Sequence, residues 1–199
     1  MRILIIGGEG TIGRRLVHAF QVKHEVITAG RNSGDHQVDI AKAASISHLF
    51  ESTGRLDAVI CAAGEARWGP FSELSVEDYY IGIKSKLMGQ VNMVRIGREY
   101  IIPGGSFTLT SGILADDPVL STTSAAMVNG ALHSFVKAAS LEMPASQRIN
   151  VVSCGLVEDA VEKYQDYFPG HNAIPMDRVV NAYVRSILGK GNGEIIREY

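Results

Sequence analysis

Short apolar runs alternate with longer amphipathic ones along the whole chain. The runs at 3–6, 25–29, 37–40, 57–62, 105–110 and 149–153 read as strands, and 194–197 as a closing edge strand. Several of them are nearly unbroken by polar residues, as expected of strands covered on both faces. Between them, 11–20, 43–51, 124–143 and 177–188 carry apolar residues at helical spacing, and 76–100 reads as two helices with a break near Gly82. In 43–51 the spacing puts Ile46, Leu49 and Phe50 on one face. Strand and helix alternating this many times means βαβ units. Right-handed crossovers then lead to an α/β fold with a doubly wound parallel sheet and helices on both faces. No linker, composition shift or fixed-period repeat divides the chain, so residues 1–199 are expected to form one domain.

Composition narrows the function. Nineteen Lys and Arg against 21 Asp and Glu leave a formal charge of −2, with 46% hydrophobic and 20% charged residues. That balance fits a globular protein and excludes disorder. It provides no basic field, so no nucleic-acid partner is expected. The opening MRILIIGG is too short an apolar run for a signal peptide or a membrane span. No membrane association is expected, and the site of action is expected to be cytoplasmic. Cys61 and Cys154 make neither a disulfide framework nor a four-thiolate zinc site. The six histidines show no metal spacing, so no metal is expected.

The 21 glycines matter through their placement. Gly7-Gly8-Glu9-Gly10-Thr11-Ile12-Gly13 joins the first strand to the first helix, and Gly8, Gly10 and Gly13 satisfy G-x-G-x-x-G. In that context the pattern is a dinucleotide-binding turn, in which bare backbone N–H groups at a helix N-terminus receive a diphosphate. The end of the second strand selects the dinucleotide. Arg31-Asn32-Ser33 puts a permanent cation with amide and hydroxyl donors where a 2′-phosphate would lie, which favours NADP over NAD. Asp35 is the rival, since an acidic residue about 20 positions beyond the motif holds the ribose hydroxyl in NAD-binding domains.

These elements together resemble the short-chain dehydrogenase/reductase family over almost the whole chain. The resemblance rests on the glycine turn, on Val38-Asp39-Ile40, on Cys61-Ala62-Ala63-Gly64, on Leu109-Thr110-Ser111-Gly112 and on Arg148-Ile149-Asn150-Val151-Val152-Ser153-Cys154-Gly155. It implies a single Rossmann-like domain. It also implies an adenine contact at Asp39, a ribose-side turn at Ala62, Ala63 and Gly64, and a catalytic serine at Ser111. The turn departs from the family's T-G-x-x-x-G-x-G, with Ile6 and Thr11 where Thr and Gly are usual.

The family's Tyr-x-x-x-Lys pair is absent from the helix that follows Ser111, where no tyrosine falls. Aligning 131–142 with the family's catalytic helix puts Ala125 at the tyrosine position and Asn129 at the lysine position. The preceding helix puts Lys84 where the family carries an active-site asparagine, as if Asn and Lys had changed places. Ser111, Lys84 and Asn129 are therefore the catalytic candidates. No G-x-S-x-G elbow surrounds Ser111, and His133, one turn beyond Asn129, is expected to face the far edge of the site, to pack or to reach solvent. Glu65, Arg67 and Trp68 fall where ligand loops gather. The stretch 156–175, with Tyr164, Tyr167 and Phe168, corresponds to the family's substrate lid. Helices near 84–100 and 124–143, with Gly130, Ala131 and Ala138, resemble those that form the family's homodimers and homotetramers. Two readings follow. One is an NADP(H)-dependent oxidoreductase acting on a small carbonyl or alcohol with an altered proton donor. The other is a non-catalytic or regulatory NADP(H)-binding protein on the same fold.

Overall fold

A computed structural model of the protein describes residues 1–144 and 146–199. Seven strands form one sheet: β1 (Arg2–Ile6), β2 (Glu25–Gly30), β3 (His36–Gln37), β4 (Leu56–Cys61), β5 (Ile101–Gly112), β6 (Arg148–Cys154) and β7 (Ile195–Glu198). Their order across the sheet is β3-β2-β1-β4-β5-β6-β7, and every pairing is parallel. The order reverses direction between β1 and β4, where open α/β sheets form their ligand crevice at the carboxyl ends of the strands.

The helices are α1 (Thr11–Phe20), α2 (Ala43–Thr53), α3 (Val76–Gly82), α4 (Met88–Gly97), α5 (Thr123–Glu142), α6 (Val161–Tyr164) and α7 (Met176–Leu188). Among the described residues, none is long and apolar enough to cross a membrane. Alternation along the strands divides the core in two. Leu4, Ile6, Val59, Phe107, Leu109 and Val151 face one side and pack with Phe50 of α2, Met93 of α4 and Leu132 and Val136 of α5. Ile3, Ile5, Ile60 and Val152 face the other and pack with Leu16 and Phe20 of α1 and Val179, Tyr183 and Ile187 of α7. Each fully buried side chain of this kind contributes roughly 1.5–3 kcal/mol.

Three differences from the sequence pattern bear on the site. The third strand lies at His36–Gln37 and not at 37–40; it pairs with only Ala29 and Gly30, after which Val38 and Ile40 turn into the core. β5 is longer than 105–110, because β6 pairs with it as far as Gly112. The expected break near Gly82 is instead a π-helical turn, Ile83–Leu87, that joins α3 to α4 without interruption. Such turns insert a residue into a helix and change which side chains face inward.

Candidate active site

The glycine turn sits at the end of β1 with its ends fastened to both neighbours. The Gly7 amide donates to the Ala29 carbonyl at 2.7 Å, and the Ala62 amide donates to the Ile6 carbonyl at 2.9 Å. At Gly13 a β-carbon would overlap the Gly7 carbonyl, so only glycine lets α1 start this close to the turn. Gly10 caps α1 with no side-chain hydrogen bond. The amides of the first turn, which lack intrahelical acceptors, are left to a ligand. A bare cradle of this shape fits a diphosphate. Gly8 and Gly13 are buried in the turn, while Glu9 and Gly10 are exposed on its outer side.

Two cavities open on either side of this turn. The first, about 250 Å³, is lined by Gly30, Arg31, Val38, Ile40, Ala63, Gly64 and Glu65, among others. Its apolar walls at Val38 and Ile40 suit an adenine ring, with the Arg31 guanidinium at the rim. Arg31 meets the Glu65 carboxylate at 3.2 Å. Asn32 and Ser33 are exposed and do not line the cavity. Asp39 stands between two lining residues, its carboxylate accepting from the Ala41 amide at 3.1 Å and pairing with Lys42 at 3.3 Å. Asp35 turns back on its own strand: its carboxylate accepts from the Thr28 amide and hydroxyl, each at 2.8 Å, which also hold its pKa below the usual range. Asp35 is not among the residues that line the cavity.

The second cavity, about 380 Å³, contains Thr11, Ile12, Ala62, Gly64, Lys86, Ser111 and Asn129 in its wall. Trp68, Tyr164 and Phe168 close its outer end, with the Trp68 ring 5.3 Å from that of Tyr164 and 6.3 Å from that of Phe168. The lid is fastened to α1, because Asp159 accepts from Arg15 at 2.9 and 2.8 Å.

Of the three catalytic candidates, Ser111 and Asn129 come together in this cavity and Lys84 does not. Lys84 is exposed, with its ammonium 5.5 Å from the Tyr80 ring centre. Lys86 takes the place expected of it. Both lysines lie in the π-helical turn, and only Lys86 lines the cavity. Gly64, at φ +127°, packs directly on Lys86, where a β-carbon would lie 2.7 Å from the lysine α-carbon. Burial pushes the Lys86 ammonium down to about 8 despite the nearby Cys154 and Cys61. The same burial pushes both thiols up to about 12, so they stay protonated. Asn129 is 2% exposed, and its Oδ1 has no partner among the described residues. A buried polar atom without a protein partner calls for water, an ion or a ligand to satisfy it.

Ser111 is held by its own side chain and through its neighbour Thr110. Gln90 of α4 donates to the Thr110 carbonyl at 2.8 Å and accepts from the Thr110 amide at 2.9 Å. Below the sheet, the Thr110 hydroxyl meets the Tyr183 hydroxyl at 2.6 Å. Ser111 Oγ itself lies 2.7 Å from Nε2 of His133, which corrects the expectation that His133 merely packs or faces the far edge. Ala125, at the tyrosine position, is buried in an apolar cluster with Ile113, Leu114, Leu156 and Phe168. Neither Gln90 nor His133 carries a sequence signal beyond its helical phase. Among the described residues, no group of three or more His, Cys, Asp or Glu side chains could hold a metal ion.

A doubly wound parallel sheet with a bare glycine turn between two cavities has the architecture of a nucleotide-binding domain. Known proteins agree. Residues 17–183 match the family described as enoyl-(acyl carrier protein) reductase. The protein lin1944 from Listeria innocua superposes with a TM-score of 0.98 at 42% identity, covering 100% of both chains. A small-chain dehydrogenase in complex with NADPH superposes with a TM-score of 0.87 at 27% identity, over 99% of this chain and 95% of that one. Hydroxynaphthalene reductase arp2 from Aspergillus fumigatus is 28% identical over 106 residues, 49% of this chain and 39% of its own length. The match thus spans well under half of that reductase. The chain belongs to the short-chain dehydrogenase/reductase family.

Proposed function

We propose that the protein is an NADP(H)-dependent oxidoreductase acting on a small carbonyl or alcohol, with a proton donor other than tyrosine. The observation that carries this reading is the shared Gly64. It lines both cavities, so a ligand filling the first and crossing the glycine turn runs into the one walled by Ser111, Lys86 and Asn129. The NADPH complex of the related small-chain dehydrogenase supports the choice of coenzyme.

Bound in this way, the coenzyme supplies or takes up the hydride. The chain's own residues do the rest. Gly7, Gly8, Gly10, Thr11, Ile12 and Gly13 offer backbone to the diphosphate, and Arg31 offers its cation to a 2′-phosphate. Ala62, Ala63 and Gly64 form the wall beneath the ribose. Lys86 and the unpaired Asn129 Oδ1 offer a donor and an acceptor to ribose hydroxyls. Ser111 offers a hydrogen bond to the substrate oxygen. Trp68, Tyr164 and Phe168 exclude water and favour an apolar substrate body. Self-association through α4 and α5 belongs to the same proposal, supported by exposed Met88 and Met127 and by open space over Gly130.

The test is calorimetric titration with NADPH and NADH, followed by a carbonyl panel read at the NADPH absorbance. Tighter NADPH binding with turnover of an apolar carbonyl is the expected result. Ala125 favours the second reading, a coenzyme-binding protein without chemistry, because its methyl sits in an apolar cluster. NADPH binding with no turnover on any member of the panel would establish that reading instead.

A further inference from the structure

We infer that His133 is the proton relay of this site, exchanging a proton with the substrate oxygen through the Ser111 hydroxyl. The inference rests on the oxidoreductase reading above and supplies the proton path that Ala125 leaves open. Ser111 and His133 are 4% and 6% exposed, and only Ser111 reaches the cavity. His133 therefore acts on the substrate through Ser111 or not at all. The 2.7 Å contact to Nε2 is a full hydrogen bond.

The far side of the ring has a second partner. Nδ1 of His133 lies 3.9 Å from Oδ2 of Asp116. Asp116 spends its hydrogen bonds on Arg197, at 3.0 and 3.3 Å, and on the Tyr199 hydroxyl. Those bonds keep it ionised, with a pKa below the usual carboxylate range. It acts on His133 through charge rather than through a hydrogen bond. A carboxylate facing Nδ1 favours the Nδ1–H form of the neutral ring and leaves Nε2 to accept the Ser111 proton.

The charged groups that face the ring are Asp116 after β5, Arg197 on β7 and Lys137 one turn further along α5. Burial, Arg197 and Lys137 lower the His133 pKa below 6.5, and Asp116 partly offsets them. The ring is then neutral at pH 7 and able to accept.

In the oxidation direction an oxidised nicotinamide held beside Lys86 and Asn129 would accept the hydride lost from the alcohol carbon, leaving C=O and one proton to be removed. The alcohol proton moves to Ser111 Oγ, and the Ser111 proton moves to Nε2. Products are the carbonyl compound, the reduced coenzyme and an imidazolium opposite the Asp116 carboxylate. Reduction runs the same steps backwards, consuming the imidazolium proton.

The rival donor is Lys86, and pH separates the two. With the best substrate of the panel, kcat for alcohol oxidation should rise with pH along a limb below 6.5. His133→Gln should keep NADPH affinity, abolish that limb and lower kcat about 100-fold, the lower end of general acid–base contributions. Nitrogen-15 NMR of the ring, which needs no turnover, should show Nε2 unprotonated in the neutral form. It should also show that Ser111→Ala shifts that nitrogen. A limb that survives in His133→Gln, or one centred near 8, would overturn the relay while leaving the oxidoreductase reading intact. So would an Nε2–H ring in the neutral enzyme. NADPH binding with no turnover would remove both.

Discussion

The Gln90 carboxamide and the Thr110 peptide exchange two hydrogen bonds, at 2.8 and 2.9 Å, as though Gln90 were one more residue of a neighbouring strand. β4 pairs with β5 only as far as Leu109, and Gln90 takes over one residue beyond it. This pairing holds the strand end that presents Ser111. Gln90→Leu leaves a buried N–H and a buried C=O unpaired, at about 1–3 kcal/mol each. Urea unfolding should therefore show a loss of about 3 kcal/mol, the order expected for two such groups. Ser111 should lose its alignment with it.

Lys86 gives a pH-dependent prediction. Its ammonium titrates at about 8 in the folded chain against 10.5 as a free side chain. Between those values the unfolded chain holds the extra proton, so stability rises with pH over that window and the burial cost is fully present below it. Lys86→Met removes the cost. The variant should be about 2 kcal/mol more stable at pH 7 by chemical denaturation, and the rise above pH 8 should vanish. It should also lose turnover, because Lys86 is the only lysine lining the second cavity among the described residues.

Arg31 and Glu65 act in opposite senses on the coenzyme. A charge-assisted hydrogen bond is worth roughly 1.5–3 kcal/mol, so Arg31→Ala should weaken NADPH binding about 10- to 100-fold and leave NADH nearly unchanged. Glu65 lies 3.2 Å from the same guanidinium and competes with a 2′-phosphate for it. Glu65→Gln should therefore tighten NADPH a few-fold, at about 1 kcal/mol or less for an exposed pair. Equal affinities for both coenzymes in the unmodified protein, unchanged by either substitution, would defeat the assignment of NADP.

The lid offers a third kind of measurement. Asp159 joins it to α1 through Arg15 and, at 3.3 Å, Arg14. Asp159→Ala should raise hydrogen exchange across 156–175 and raise KM more than it lowers kcat, since the lid covers the cavity without touching the reacting atoms. High salt should reproduce part of the effect in the unmodified protein.

The sheet was readable because its signals are local. Unbroken apolar runs and a glycine turn need only a few residues each, and Gly7 to Gly13, Cys61 to Gly64 and Ser111 all stand where their patterns put them. What the pattern missed depends on contacts distant in sequence. Lys86 lines the cavity where Lys84 was expected, on a π-helical turn that the sequence announces only as a break near Gly82. His133 looks like an ordinary helix residue until β5 places Ser111 under it, 22 residues away in the chain. Gln90 reads as an ordinary polar helix residue until β4 ends at Leu109 and leaves the Thr110 peptide unpaired on that side. β3 slipped because two ladder partners on β2 outweigh the apolar character of Val38 and Ile40.

The crowding of Gly13 against the Gly7 carbonyl fixes the curvature of the turn before any ligand arrives. The socket is preformed, so its ordering entropy is spent in folding and not in complexation. Coenzyme uptake should accordingly be fast and rigid-bodied, with the slow events of a turnover cycle confined to the aromatic flap on the opposite rim.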